Sequence, residues 1–311
     1  MRKNLFSIPL PDFGTLKVNL PIISFGEGNP KVTIICGMHG NERSGLLVID
    51  KLIQSLDLKK GQIVIMPSAN PIAQALKIRD FPNMLDSHIN LNRCFPGQLN
   101  DEYSLTIAKT ISENVADSDL IVDLHTFSLP CPLVGILADG PDETVKKSHD
   151  LLKILQPDII WKVDTNRSNE AEFTNTLGHY LHQQGKKFLG IELPNIFRVS
   201  ENQVERVAEG LNKIFASLGM IKRENQGKFI SVPVFSRCPY VRAANSGLFI
   251  AKKKILDLVK AGEEVGRLVN LYTLDSEAVT SPDEGKIIIL LDKDFVRAGD
   301  KLFSVAHEVK I

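Results

Sequence analysis

Residues 32–42 read Val-Thr-Ile-Ile-Cys-Gly-Met-His-Gly-Asn-Glu, and this stretch predicts the fold. Its first five residues are apolar and mostly β-branched, which is typical of a buried central strand. Two glycines then indicate a turn, and helical periodicity resumes over residues 44–53. His39 and Glu42 therefore follow the carboxyl end of a strand, which is the edge where open α/β sheets bind their ligands.

A histidine and a glutamate at a strand end can hold Zn²⁺ when a third ligand and a water complete the tetrahedron. Residues 120–126 read Leu-Ile-Val-Asp-Leu-His-Thr, another apolar strand that ends in a histidine. Asp123 lies on the same face of this strand as His125, so it can accept the ring N–H that the metal does not use. The sequence therefore predicts a zinc site made of His39, Glu42 and His125.

Further motifs follow these candidate ligands along the chain. They are Asn-Pro-Ile-Ala at residues 70–73, Asn-Leu-Asn-Arg-Cys-Phe-Pro-Gly at 90–97 and Gly-Ile-Glu-Leu-Pro at 190–194, together with Arg79. In this order, with the ligands, they resemble the motifs of the succinylglutamate desuccinylase/aspartoacylase family, which shares the zinc carboxypeptidase fold. The resemblance spans nearly the whole chain, and it implies a zinc enzyme that removes an acyl group from a small N-acyl amino acid.

Glu192 is the candidate general base. A carboxylate must take the proton from the attacking water and later deliver it to the leaving amine. Glu192 closes the apolar run at residues 188–191, so it should emerge at the same sheet edge as the metal ligands. Its position also matches the catalytic glutamate that the resemblance implies. A zinc ion held beside it would lower the pKa of its bound water towards neutrality.

Arginines supply the candidate contacts to the substrate. Arg93 carries a planar, permanent charge that suits a bidentate grip on a carboxylate, and Asn92 can add a neutral hydrogen bond. The resemblance implies that this pair binds the carboxylate of the amino-acid part. It also implies that Arg79 polarises the scissile carbonyl and stabilises the developing oxyanion. Asn90 stands where aspartoacylases typically carry an aspartate, so we expect Arg93 to be held differently here.

Strands and helices alternate up to about residue 220. This order predicts an α/β domain over residues 1–220, with a mixed, mostly parallel sheet and helices on both faces. Helices are expected at residues 103–117, 142–155, 171–184 and 201–218, and a loop is expected over residues 67–99. Loops of that length inside a compact domain are usually functional.

Residues 221–311 change to short strands separated by glycine, proline and charged turns, which predicts a C-terminal β-rich, barrel-like domain. This tail is similar to the biotinyl/lipoyl-like hybrid barrel. A swinging-arm carrier would need a lysine on the central hairpin, but residues 271–277 contain none. We therefore expect the tail to shape the entrance of the site or to form a contact between copies in a homo-oligomer.

Two other sets of reactive side chains carry no predicted function. His179 and His182 are three residues apart on a predicted helix, and we expect them to be partly exposed helix residues rather than metal ligands. Cys94 adjoins Arg93, but no histidine forms an elbow or triad pattern near it, so it is expected to be a packing thiol. The four cysteines have no paired spacing, which suits a reducing compartment.

Composition excludes several classes of partner. The 37 basic and 37 acidic residues cancel, so nothing indicates a nucleic-acid surface. No apolar run approaches the ~20 residues of a membrane span, and no signal-peptide core follows the amino terminus. The sequence thus favours a cytoplasmic protein whose partner is a small molecule bearing a carboxylate.

Three functions remain open from the sequence. The first is a zinc amidohydrolase that deacylates a small N-acyl amino acid. The second is a zinc carboxypeptidase that acts on a short or modified peptide, since it needs the same metal, base and carboxylate contact. The third is a non-catalytic metal-binding or regulatory homologue, although Glu192 and all three ligands are present.

Overall fold

The computed structural model describes residues 3–82, 88–99, 102–194, 200–222, 231–237 and 239–311. Within these ranges the helices are α1 (Ser44–Ser55), α2 (Pro71–Leu76), α3 (Tyr103–Val115), α4 (Asp142–Leu155), α5 (Leu177–Gln183) and α6 (Glu201–Ser217). The strands are β1 (Lys3–Pro9), β2 (Asn19–Glu27), β3 (Lys31–Cys36), β4 (Gly61–Met66), β5 (Leu120–Thr126), β6 (Val134–Leu137), β7 (Ile159–Lys162), β8 (Lys187–Leu193), β9 (Val234–Arg237), β10 (Val241–Arg242), β11 (Gly247–Ala251), β12 (Leu258–Val259), β13 (Glu264–Val269), β14 (Ser276–Thr280), β15 (Gly285–Leu290), β16 (Asp294–Val296) and β17 (Lys301–Glu308).

One large mixed sheet organises the molecule. Its order is β1-β2-β4-β3-β5-β8-β6-β7-β9-β17-β15-β12. The central strands β4, β3, β5 and β8 pair in parallel. Antiparallel pairs join β1 to β2, β2 to β4 and β6 to β8, whereas β7 pairs in parallel with β6. The parallel strands are buried on both faces, which explains why β3 and β5 read as nearly continuous apolar runs. The predicted α/β fold with a mixed sheet is confirmed.

Alternation along each central strand divides the core into two layers. Ile34 and Val122 point to the layer that α1, α4 and α6 cover, whereas Ile35 and Ile121 point to the opposite layer under α3 and α5. Successive side chains of a strand face opposite sides of the sheet. His125 has the parity of Ile121, so the candidate site lies on the α3 and α5 side.

The C-terminal strands extend the same sheet and add a second one. β9 pairs in parallel with β7, and β17 pairs antiparallel with β9, so the main sheet continues past residue 220. A four-stranded antiparallel sheet of order β14-β13-β11-β16 closes the tail over its own core, which includes Phe249 and Phe303. The predicted C-terminal β-rich region is confirmed, and its strands pair mostly antiparallel. The boundary at residues 220 and 221 stays a prediction.

Two predicted segments differ from the structure in detail. Part of the expected loop over residues 67–99 forms α2, because Asn70 caps it and Pro71 occupies its first turn. The expected helix over residues 171–184 is a 3₁₀ turn, Ala171–Asn175, followed by α5. The predicted spans of α4 and β5 match the observed bounds. None of the described helices combines the length and the apolar character that crossing a membrane requires.

Candidate metal centre and active site

The turn after β3 brings His39 and Glu42 to the carboxyl edge of the sheet. Gly37 has φ 68°, a conformation that glycine adopts without a steric penalty. At Gly40 an added Cβ would lie 2.0 Å from the carbonyl carbon of Ala73, so α2 approaches this turn as closely as the backbone allows. A backbone hydrogen bond of 3.1 Å from the Gly40 nitrogen to the Arg79 oxygen also ties the following loop to the turn.

Three buried side chains converge at this edge. Nδ1 of His39 lies 2.8 Å from one carboxylate oxygen of Glu42, and Nδ1 of His125 lies 3.0 Å from the other. In the part of the chain that the structure describes, this is the only group of three ligand side chains close enough to share one ion, with all ligand atoms within 4.8 Å of one another. The structure thus brings together His39, Glu42 and His125, which the sequence singled out.

Oxygen acceptors fix both imidazole rings in one orientation. Nε2 of His39 contacts Oδ1 of Asn90 at 3.1 Å, and Nε2 of His125 contacts Oδ2 of Asp123 at 2.9 Å. An acceptor at Nε2 favours the tautomer with its proton there, which leaves the Nδ1 lone pair for a metal. Asn90 therefore contacts the candidate ligand His39, and it also accepts the backbone N–H of Asn92.

The donor set fits a divalent cation. Nδ1 of His39 is buried and has no hydrogen-bond partner, because its approach to Glu42 lacks hydrogen-bond geometry. Leaving such an atom unsatisfied costs ~1–3 kcal/mol, and a cation would satisfy it. Burial would raise the pKa of Glu42, but the two imidazoles hold it well below its usual value. Two imidazoles and a carboxylate are the ligand set of many catalytic zinc sites.

Metal binding is expected to weaken as the pH falls. Burial would lower the pKa of His125, but the Asp123 and Glu42 carboxylates raise it well above its usual value. Without a cation, this shift favours the protonated imidazole, and Zn²⁺ must displace that proton. The dissociation constant should therefore fall as the pH rises. Calorimetry in buffers of different ionisation enthalpy counts the released protons, and a constant affinity between about pH 6 and 8 would contradict the prediction.

Glu192 lies on β8, directly beside His125 of β5 in the parallel register. Residues that are paired across neighbouring strands point to the same face of the sheet, so Glu192 lies on the face of the candidate ligands. Burial raises the pKa of this carboxyl group to about 8, His125 opposes the rise and Glu42 adds to it. A cation among the three ligands would oppose the rise further, which favours the deprotonated form that a base needs.

The candidate substrate contacts lie around the same centre. Nη1 of Arg79 donates to Oε1 of Glu42 at 2.7 Å. The side chain of Asn92 accepts the backbone N–H of Leu177 at 3.0 Å, so its oxygen is committed to the start of α5. The guanidinium of Arg93 stacks on the Phe173 ring, with 4.7 Å from Cζ to the ring centroid. One nitrogen of that guanidinium lies 3.8 Å from the exposed Glu172 carboxylate.

A pocket opens beside Glu192 and His125, and the sequence did not predict it. Its described lining is Asn92, His125, Ile136, Ala138, Asp139, Trp161, Val163, Phe173, Thr176, Gly178, His179, Phe188, Gly190 and Glu192. These residues come from several elements distant in the chain, so no local pattern marks them. The sequence feature that came nearest to indicating this pocket was the spacing of His179 and His182, because His179 lines it.

The expectation for that histidine pair was wrong for His182. His182 is fully buried. Its Nδ1 atom donates to the Ala138 carbonyl oxygen at 2.8 Å, and its Nε2 atom lies 3.0 Å from the Ser148 hydroxyl. The reason is that α5 packs closely on β8: an added Cβ at Gly178 would lie 2.5 Å from the Phe188 ring. His179 is half-buried and faces the pocket.

Solved structures with this fold cover nearly the whole chain. An aspartoacylase family protein from Mesorhizobium loti is 22% identical with a TM-score of 0.80, and the match covers 99% of this chain and 96% of that one. A succinylglutamate desuccinylase/aspartoacylase from Rhodobacter sphaeroides is 21% identical with a TM-score of 0.81, covering 99% and 96%. The product-bound ectoine utilization protein EutE (DoeB) from Ruegeria pomeroyi is 19% identical with a TM-score of 0.82, covering 98% and 94%.

Sequence comparison gives the family. No curated protein matches this chain. The model of the succinylglutamate desuccinylase/aspartoacylase catalytic domain matches residues 28–218, which include the candidate ligands, Arg79, the Asn92-Arg93 pair and Glu192. The match covers more than half of the chain and begins shortly before β3. The chain therefore belongs to the succinylglutamate desuccinylase/aspartoacylase family of hydrolases.

Proposed function

We propose that this protein is a zinc-dependent hydrolase that cleaves the amide bond of a small N-acyl amino acid. The observation that carries the proposal is the position of Glu192, which lies beside His125 on the neighbouring strand. A carboxyl group with its pKa raised by burial is thereby next to a buried set of metal-ligand side chains. Perturbed carboxyl groups beside such a set are typical of hydrolytic active sites.

Each residue of the candidate site has a separate task in this reaction. A zinc ion held by His39, Glu42 and His125 would supply Lewis acidity. Glu192 accepts the proton of the attacking water and returns it to the leaving amine. Arg79 already donates a hydrogen bond into the centre, from where its guanidinium can turn to the developing oxyanion. Asp123 and Asn90 hold the two imidazoles in the tautomer that presents Nδ1 to the ion.

Zinc content together with a substrate panel tests the proposal. The purified protein is assayed for bound metal and then against N-acyl amino acids that differ in acyl group and side chain. Hydrolysis of these amides, lost on chelation and restored by Zn²⁺, is the expected result. Activity on peptides alone would instead favour a carboxypeptidase. Stoichiometric zinc with no hydrolysis of either class would favour a non-catalytic homologue.

Arg93→Lys is expected to raise KM for substrates that carry a free α-carboxylate. Lysine keeps the charge but loses the bidentate fork and the flat stacking surface on Phe173. We expect kcat/KM to fall ~10-fold or more, mainly through KM. The matching substrate with its carboxylate capped as an amide should be hydrolysed poorly by the native protein and change little on mutation.

Arg297→Lys is the matched control for this substitution. Arg297 is exposed and is not part of the described pocket lining, and its Nε atom lies 3.6 Å from the Asp300 carboxylate. Its replacement should leave both substrates unaffected. Equal hydrolysis of the free and capped substrates by the native protein would refute the role of Arg93.

A further inference from the structure

Arg237 is a buried arginine that packs against the wall of the pocket beside Glu192. Only 5% of its surface is exposed, and its Cζ atom lies 4.5 Å from the centroid of the Trp161 ring, which lines the pocket. Trp161 of β7 pairs with Phe235 of β9, and Arg237 follows Phe235 by two residues, so it lies on the same face of the sheet. Pairing through β6 makes this the face of Glu192. The C-terminal strands thus bring a cation to the candidate site.

Two aromatic rings hold the Arg237 guanidinium in place. Besides Trp161, Tyr240 contacts it, with 4.7 Å from Cζ to the ring centroid. The Trp161 ring is fixed in turn. Its indole N–H donates to the buried Glu170 carboxylate at 2.9 Å, and it meets Phe173 edge to face with 5.4 Å between the centroids. Contacts with ring faces use the charge of a guanidinium and do not occupy its N–H donors, so the donors are held in position for an acceptor.

No described carboxylate neutralises this cation. Among the described residues, no aspartate or glutamate oxygen lies within 4.0 Å of the Arg237 side-chain nitrogens, and its buried Nε atom has no hydrogen-bond partner. The Asp139 carboxylate of the pocket lining is held by neutral donors instead, the Gly140 N–H at 2.9 Å and the Thr165 hydroxyl at 2.7 Å. A buried charge without a counter-charge is costly, and an anionic ligand would remove that cost.

Arg237 is one of several cations around the pocket. Arg93 stacks on Phe173, the ring that Trp161 meets edge to face. Burial lowers the pKa of Arg93, and the Arg237 cation adds to this shift. Burial likewise lowers the pKa of Lys301 on β17, and Arg237 again adds to the shift. The positive potential therefore extends from Arg93 to the C-terminal strands, and it favours the entry of an anion.

We propose that Arg237 is a specificity-determining residue, which binds a second carboxylate of the substrate through its N–H donors while Arg93 holds the first. The inference rests on the proposed function and deepens it. A guanidinium edge presents two parallel N–H donors, which match the two oxygens of a carboxylate. Arg237 lies outside residues 28–218, which the family model matches, so this contact is a contribution of the C-terminal strands.

The sheet order sets the distance between the second carboxylate and the scissile bond. The Arg237 guanidinium lies over Trp161 of β7, and β7 is two strands from β8, which carries Glu192. Neighbouring strands are ~4.8 Å apart. A chain of a few bonds between the scissile amide and the carboxylate can span this distance.

The second carboxylate can belong to either side of the scissile amide, and two pairs of matched substrates distinguish these sources. The amino-acid pair is Nα-acetylglutamate and Nα-acetylglutamine. The acyl pair is succinyl-alanine and succinamoyl-alanine, so in each pair an amide replaces the carboxylate with little change of shape. In one pair, kcat/KM for the carboxylate should exceed that for the amide ~10- to 100-fold. Equal values in both pairs overturn the inference, and this comparison needs no variant.

Arg237→Met should reduce this carboxylate-to-amide ratio ~10-fold or more, because methionine keeps an unbranched apolar stem against Trp161 but removes the charge. A purely structural role would lower kcat/KM for both members alike, and an unchanged ratio in the folded variant therefore overturns the inference. Arg242→Met is the matched control. Arg242 is exposed on β10 and donates to the Gly299 carbonyl oxygen at 2.8 Å, so its replacement should keep the native ratio.

Binding measurements separate this inference from the proposed function. Calorimetry with the Glu192→Gln protein compares the two members of each pair in one background, with turnover suppressed. Tighter binding of the carboxylate member, with no hydrolysis by the native protein, would refute the proposed function and support the role of Arg237. Hydrolysis without any preference for the carboxylate would do the reverse. Equal binding of both members in both pairs would overturn the role of Arg237.

Discussion

His39→Ala is expected to remove tightly bound zinc and to abolish hydrolysis while the fold survives. Three protein ligands hold the ion firmly, whereas two hold it weakly. The ring lies at the end of the turn after β3 and contributes no strand pairing, so its loss should leave the sheet intact. Metal analysis after dialysis, circular dichroism and the hydrolysis assay measure the three parts of this prediction.

His307→Ala is the matched control for the ligand substitution. His307 is exposed on β17, is not one of the clustered ligands, and contacts the Asp283 carboxylate at 3.2 Å. The control protein should keep its zinc and its activity. Full zinc occupancy in the His39→Ala protein would show that the ion binds elsewhere.

Glu192→Gln should lower kcat by ~10²–10⁴ with zinc retained. Glutamine keeps the shape and the hydrogen bonding of the side chain, but it cannot accept the proton of the attacking water. Because Glu192 is not one of the three clustered ligands, its neutralisation should not release the ion. Steady-state kinetics and metal content, measured on the same preparation, provide the test.

Glu113→Gln controls for the loss of one negative charge. Glu113 is exposed on α3 and pairs with Lys109 at 3.2 Å, so the protein should keep native turnover. Near-native kcat in the Glu192→Gln protein would mean that another group is the base. Loss of zinc from that protein would instead make Glu192 a ligand.

Much of the fold could be predicted because local patterns decide it. The apolar, β-branched run before Gly37 has the composition of a central parallel strand, and the observed β3 has this burial. Pro141 and the amphipathic run after it predicted a helix with the same bounds as the observed α4. The sheet edge of the candidate ligands could be expected for the same reason, because parallel strands end at a common edge.

Local patterns could not reveal contacts between distant segments. The burial of His182 depends on the close approach of α5 to β8, which follows from the small Gly178 and not from helical periodicity. The contact of Asn90 with His39 likewise depends on how the loop before α3 folds back over the turn after β3. Both are decided by packing, and the sequence separation is too large for any motif to record it.

The sequence by itself determined the strand ends, the residue types that can bind a cation and the parity that places Asp123 and His125 on one face of β5. These properties depend on side chains a few residues apart, whose geometry the period of a strand dictates. Only the tertiary structure decided that Glu192 lies beside His125, because the pairing of β5 with β8 is a choice of register between segments more than 60 residues apart. Only the tertiary structure decided the pocket as well, since its walls come from strands, a 3₁₀ turn and a helix that meet only when the whole sheet is assembled.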